Sequence, residues 1–254
     1  MSGRAQARLG PRVASALGGL ADALLPSACA LCAGGTGASG SPVCQACTQQ
    51  FLTARGARCR CCANPLGAAD TGMRCGACLA DAPAYDATVA AGGYASPLDQ
   101  LVLRLKFGGA LALAPWCARA LREAVLATPG FALPELLCPV PLGPARLSER
   151  GYNQALEIAR PLSALLGIAL HPRLALRRID TPAQSGATAQ ERKKNMRHAF
   201  LVAPDMLARV RGRHIGVVDD VMTSGHTLNA LAATLKRFGA ARVSNLVFAR
   251  TPPP

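Results

Sequence analysis

Along this chain the spacing of apolar positions changes, and the changes mark the elements. From Tyr85 onward, YDATVAAGGY reads as strand, PLDQLVLRLKF as a helix bounded by Gly108-Gly109, and LAPWCARALREAVLA as a second helix. LLCPVPL reads as a buried strand, and NQALEIARPLSALLG as a helix despite Pro161. HIGVVDD and RVSNLVFAR read as strands, and LNALAATLKRFGA between them as a helix ending at Gly239. Strands alternating with helices of about a dozen residues predict an α/β fold, a mostly parallel sheet with crossover helices. Between residues 177 and 198, RRIDTPAQSGATAQERKKNMRH is polar and aperiodic, and a loop of that length is functional or disordered. At the other end, Val13, Leu17, Leu20 and Leu24 share one helical face, which predicts an amphipathic helix within residues 1–26. Its arginines and small residues superficially imitate a secretion signal, but Asp22 interrupts the apolar run. No stretch reaches the ~18 apolar residues of a membrane span. A cytoplasmic protein is expected.

Residues 27–82 have little periodicity and too few apolar positions for a core of their own. They hold nine of the eleven cysteines. Cys29-x2-Cys32 and Cys44-x2-Cys47 form one two-knuckle set, and Cys59-x2-Cys62 with Cys75-x2-Cys78 form another. Two such turns complete a thiolate tetrahedron with no open position, so the spacing predicts two structural zinc ions and not a catalytic one. Metal binding would supply the folding free energy that the missing core does not. Cross-braced pairing would use the same eight residues, and Cys61 adds a ninth thiol beside Cys62.

Composition changes this picture little. Half of the 254 residues are hydrophobic, which suffices for a sizeable core in residues 83–254. The formal net charge of +14 fits anionic partners such as sugar phosphates or nucleic acid, or an arginine-rich solvated surface. Aromatic residues make up only 4% of the chain, few for stacking bases.

The chemistry concentrates where HIGVVDDVMTSGHTL turns from strand to helix. A parallel sheet puts its ligand crevice at the carboxyl ends of its strands, which is where Asp219 and Asp220 fall. Thr223, Ser224, Gly225, His226 and Thr227 then open a helix whose free N–H groups can hold an anion, with Gly225 admitting close approach. Paired carboxylates beside a phosphate cradle suit a sugar phosphate: the acids take vicinal hydroxyls and the loop takes the phosphate.

The run from Val217 through Val218, Asp219, Asp220, Val221 and Met222 to Thr227 resembles the phosphoribosyl pyrophosphate motif of type I phosphoribosyltransferases. PVPLGPARLSERGYNQA resembles the VPL…RGFNQ segment of the ComF/GntX family, with Tyr152 where Phe is common. Thr181, Gln184, Arg192 and Asn195 resemble that family's T-x-x-Q…R-x-x-N loop, and the paired CxxC region resembles its double zinc ribbon. The resemblance implies a type I phosphoribosyltransferase domain preceded by a zinc module. It implies that Asp219 and Asp220 contact the ribose hydroxyls with Mg²⁺ nearby, while Val218 to Thr227 hold the ligand and its 5-phosphate. It further implies that Pro141 to Gly143, with Leu142 between them, and Arg150 approach the pyrophosphate. The 177–198 loop would close and bring Arg192, Lys193 or Lys194 to the leaving group. Family members are associated with natural competence, which implies phosphoribosyl transfer to an unnamed acceptor or a non-catalytic role in single-stranded DNA import beside other import proteins.

Overall fold

The computed structural model describes residues 28–36, 40–52, 56–67, 73–178 and 199–252. The expected amphipathic helix and the segment carrying Thr181, Gln184, Arg192 and Asn195 lie outside these residues. The chain divides into two compact units, one ending at Gln50 and one running from Phe51 to the C-terminus. The first thiolate set therefore belongs to the first unit, and the second set belongs to the unit that carries the sheet.

Helix α1 (Gln45–Leu52) follows the first pair of knuckles, and the short α2 (Gly76–Ala80) follows the Cys75 turn. After β1 (Ala87–Gly93) come α3 (Leu98–Phe107), α4 (Leu113–Leu126) and β2 (Leu136–Pro139). Then α5 (Pro144–Arg150), α6 (Gln154–Leu166) and the two-residue β3 (Ala169–Leu170) lead to a small antiparallel pair, β4 (Ala175–Arg177) and β5 (Phe200–Val202). A 3₁₀ turn (Pro204–Met206) and α7 (Leu207–Val210) precede β6 (His214–Met222), α8 (His226–Arg237) and β7 (Arg242–Arg250). The sequence pattern anticipates β1, α3, α4, β2, α6, β6, α8 and β7. Pro161 sits inside α6, as expected.

Five strands form one sheet in the order β1-β7-β6-β2-β3, every neighbouring pair parallel. From β6 the chain crosses to β7 on one side, and from β2 it crosses to β3 on the other. The connections thus part company between β2 and β6, where Pro139 pairs with Val218 at the carboxyl ends. This is a topological switch point, where doubly wound sheets open a ligand crevice.

The middle of the sheet is buried on both faces, and Ile215, Val217 and Val218 are 0% exposed. Gly216 is required there: a Cβ would lie 2.6 Å from the Pro134 side chain and 2.7 Å from that of Leu137. Trp116 of α4 packs edge-on to Phe248 of β7 with centroids 5.6 Å apart.

Candidate functional site

In both thiolate sets the four sulfurs lie within 4.8 Å of one another: Cys29, Cys32, Cys44 and Cys47 in one, and Cys59, Cys62, Cys75 and Cys78 in the other. The pairing is sequential and not cross-braced. Each knuckle is closed by local backbone bonds. The Ala33 and Ala63 amides donate to the carbonyls of Cys29 and Cys59, which requires both alanines to adopt positive φ, 61° and 58°. Amides also point at sulfur, from Cys44 to Cys29 Sγ and from Cys75 to Cys59 Sγ, both at 3.3 Å. Burial pushes the Cys29 thiol up, but N–H donors from Cys44, Cys32 and Leu31 outweigh it and hold that thiol near 6. Burial and the neighbouring sulfurs push Cys47 up to about 12. Cys59, brought down to about 7, and Cys62, raised to about 11, repeat the split in the second set. Four converging thiols cannot all ionise without a cation among them. A zinc ion at each centre removes the conflict, so the donor sets fit the metal.

The β6–α8 turn has the form expected of an anion cradle. Among the described residues, the amides from Thr223 to Thr227 have no backbone acceptor; the first such bond of the helix runs from the Asn229 amide to the Gly225 carbonyl. Gly225 holds φ +79°, and a Cβ there would meet Met222 Cε at 2.7 Å and the Tyr85 hydroxyl at 3.2 Å. Thr223 and Ser224 are exposed, so their N–H groups are available to a ligand. His226 contributes Nδ1 to Ser224 Oγ at 3.1 Å and has no base-like placement beyond that.

Strand β6 runs past both acids. Asp219 accepts from the Asp220 amide and Asp220 from the Val221 amide, each at 2.9 Å. Asp220 Oδ2 forms an ion pair with Lys106 Nζ at 3.1 Å, although the alignment makes no hydrogen bond. Burial and then the adjacent Asp220 charge raise the Asp219 carboxyl well above the ordinary range. The one lysine partner is on Asp220, so a cation or hydroxyl donor brought by a ligand would relieve the burial and repulsion that raise Asp219.

Lys106 is a site residue the sequence reading missed, and the residues Arg150 to Gln154 explain its position. Tyr152 donates its hydroxyl proton to the Leu105 carbonyl, and Gln154 Nε2 donates to the Lys106 carbonyl at 3.5 Å. Asn153 caps α6 by accepting from the Ala155 and Leu156 amides, while its Nδ2 donates to the Val140 carbonyl at 2.9 Å. Gly151 ends α5 with φ +76°. The motif therefore ties the end of α3 to the exit of β2. Arg150 itself donates to Gln154 and lies 5.0 Å above the ring of Phe107. Pro141 and Leu142 sit half-buried in the turn between β2 and α5. The signal in LVLRLKFGG was ambiguous, because Arg104 and Lys106 both fall in the last turn of an apolar helix that ends against Gly-Gly.

Arg250 was also missed. It is the last residue of β7 and 7% exposed. Its Nε donates to the Cys62 carbonyl at 2.9 Å, and its Nη1 donates to the carbonyls of Met222, Thr223 and Thr251. An arginine ending a nine-residue strand looks like a solvated edge, and nothing in the local pattern distinguishes it.

Comparison with known proteins agrees with this geometry. A double zinc ribbon domain model matches residues 20–79, and a phosphoribosyl transferase domain model matches residues 153–252. The DNA utilization protein YhgH of Salmonella typhi is 34% identical over 231 residues, covering 89% of this chain and 98% of that protein. Competence protein F of Haemophilus influenzae is 35% identical over 174 residues, covering 67% of this chain and 76% of that protein. Among solved structures, an adenine phosphoribosyltransferase from Thermoanaerobacter pseudethanolicus matches loosely, at 15% identity and a TM-score of 0.34 over 56% of this chain and 83% of that one. With a relative matched over nearly its whole length and both domain models in sequence, the chain belongs to the ComF/GntX family, in which a double zinc ribbon precedes a phosphoribosyltransferase domain.

Proposed function

We propose that this protein binds phosphoribosyl pyrophosphate with Mg²⁺ at the β6–α8 turn, acts in the cytoplasm, and serves the handling of imported DNA. The observation that carries the reading is the row of amides from Thr223 to Thr227 without backbone acceptors, next to Asp219 and Asp220. The amides and the positive end of α8 take the 5-phosphate, and the acids take the ribose hydroxyls. Bound Mg²⁺, held by the Asp219–Asp220 pair or through the ligand, would neutralise pyrophosphate oxygens. Lys106 stands close enough to exchange its partner Asp220 for a ligand oxygen.

Ribosyl transfer would break the bond from the anomeric carbon to pyrophosphate, which leaves with the electron pair, and form one to a nucleophilic acceptor atom. The oxocarbenium-like state needs no protein nucleophile, only cationic groups on the departing oxygens and a dry site. Pro141, Leu142 and Arg150 border the pyrophosphate side, and Arg192, Lys193 and Lys194 would supply further positive charge to the departing oxygens. The DNA role rests on the names of the relatives, a DNA utilization protein and a competence protein.

Calorimetry with phosphoribosyl pyrophosphate and Mg²⁺ should show one site, lost in the Asp219→Asn/Asp220→Asn protein. Unchanged binding in that double variant would end this reading. A pyrophosphate-release screen against bases and amines then tests transfer.

A second reading, a single-stranded DNA or import adaptor without transfer, is favoured by one feature. Phe107 is 65% exposed beneath the Arg150 guanidinium, an aromatic face with a cation beside it. It expects affinity for single strands that falls steeply with salt and drops in Phe107→Ala. DNA binding insensitive to salt would count against it.

A further inference from the structure

The four carbonyls gathered by Arg250 come from two places that the sequence keeps far apart. One is the knuckle of the second thiolate set, through Cys62. The others belong to the ends of β6 and β7, through Met222, Thr223 and Thr251. The Met222 carbonyl shares its peptide unit with the Thr223 N–H, and the Thr223 carbonyl shares its unit with the Ser224 N–H. A trans peptide points these groups in opposite directions. Drawing both carbonyls toward the guanidinium therefore turns both amides outward. It also polarises them, since a carbonyl that accepts a charged donor makes its own N–H a stronger donor.

The guanidinium has an electrostatic problem that the second set would solve. Among the described residues it has no carboxylate partner, only carbonyl oxygens, and it is almost wholly buried. A buried cation without a counter-charge is expensive. Four thiolates around a zinc ion carry a net charge of about −2, and the Cys62 carbonyl places that charge next to Arg250. Tyr85 stands between the two regions: the Cys61 thiol, next to the ligand Cys62, points at its carbonyl, and its hydroxyl lies where a Cβ on Gly225 would come within 3.2 Å of it.

We propose that Arg250 is a positioning residue for the phosphate cradle, and that through it the second zinc ribbon holds the Thr223 and Ser224 amides in their anion-binding orientation. This rests on the cradle being a phosphate site, as proposed above. The first thiolate set, in the other unit, has no part in it.

The test uses the full-length zinc-loaded protein and three measurements: affinity for phosphoribosyl pyrophosphate with Mg²⁺, N–H orientation at residues 223–227 from residual dipolar couplings, and release of zinc to a colorimetric chelator. Arg250→Met should keep both zinc ions and the buried Trp116 emission, weaken the ligand roughly ten- to a hundredfold, the size of losing charged hydrogen bonds, and reorient the Thr223 and Ser224 N–H vectors. Arg250→Lys keeps the charge but not the forked donors, and should recover only part of the affinity. Coupling is reciprocal, so saturating ligand should slow the loss of one of the two zinc ions in the wild type, and not in Arg250→Met. Wild-type affinity and N–H orientation in Arg250→Met would overturn the proposal. Should Arg250→Met fail to fold, full affinity in Arg250→Lys would overturn it equally, because charge alone would then suffice. Absence of any ligand binding by the wild type would remove the sugar-phosphate reading instead. In that event, reoriented Thr223 and Ser224 N–H vectors in Arg250→Met support the clamp and unchanged ones remove it.

Discussion

The two thiolate sets share a local geometry and differ in their surroundings. Ala28 bridges Gly35 around the first knuckle as Arg58 bridges Pro65 around the second, and an alanine with positive φ follows the second cysteine in both. In the first set, however, Cys32 is exposed and Cys44 half-buried. In the second, no ligand cysteine is more than 9% exposed, and all four join Tyr85, Met222 and Leu228 in one apolar cluster with the sheet. The same motif thus has partly exposed ligands in one unit and is part of a domain core in the other. What a metal knuckle does is decided by what packs on it.

The largest expected contrast is in stability. Zinc binding by a structural site contributes ~10–16 kcal/mol apparent, as much as the ~5–15 kcal/mol that holds a whole domain folded. Cys59→Ser or Cys78→Ser should therefore abolish the cooperative melt of the sheet, read by emission from Trp116, the single tryptophan. Cys29→Ser or Cys47→Ser should leave that melt nearly in place. Equal loss from both pairs would mean that the sets are not different in kind. Exposure makes the same division kinetically, and a mild chelator should take one zinc ion fast and the other slowly.

A smaller effect separates ligand binding from stability. At Gly225, alanine forces a side chain into left-handed backbone, costing about 1–2 kcal/mol, and sets its Cβ against Met222 and Tyr85. Gly225→Ala should lose ligand affinity with both zinc ions retained.

Asp219 is expected to move stability the other way. Its carboxyl is raised by burial and by Asp220, so the folded state holds its proton more tightly than the unfolded chain. The resulting penalty is absent below the unfolded value and grows as pH rises from there to the folded value. Asp219→Asn should accordingly stabilise the ligand-free protein at neutral pH, by on the order of 1 kcal/mol, and flatten its acid-side pH profile while losing the ligand. A variant less stable than wild type at pH 7 would contradict this account of the pair.

The smallest effect returns to the knuckles. Ala33→Gly relieves about 1–2 kcal/mol of left-handed strain against about 0.5–1 kcal/mol of glycine entropy, for a slight gain in the exposed first set. Ala63 is 1% exposed, so Ala63→Gly also removes a buried methyl, worth about 0.8 kcal/mol, and should show no gain. Chemical denaturation of the two variants side by side measures the difference.

Much of this was legible in the chain. Cysteine spacing marked both thiolate sets, because a CxxC turn brings its own ligands together within four residues. The apolar run from Ile215 to Val218 marked a strand buried on both sides, and Thr223 to Thr227 marked its turn into a helix. The short elements were not legible. Helix α5, strands β3 to β5 and the 3₁₀ turn are too brief to carry a period. Nor was the seat of Arg150 legible, since its neighbours Phe107 and Gln154 come from two different helices.

What the sequence determined by itself was local: which residues form each element, which cysteines can share a metal, and where a strand ends in free amides. Tertiary structure alone decided the contacts made across long separations. It placed Lys106 on Asp220, chose sequential over cross-braced pairing, and set Arg250 between Cys62 and Thr223. The reason is physical. A period or a turn is fixed by neighbours within a few residues, whereas a buried charge is tolerable only where partners from several distant segments converge on it, and no local pattern records that convergence.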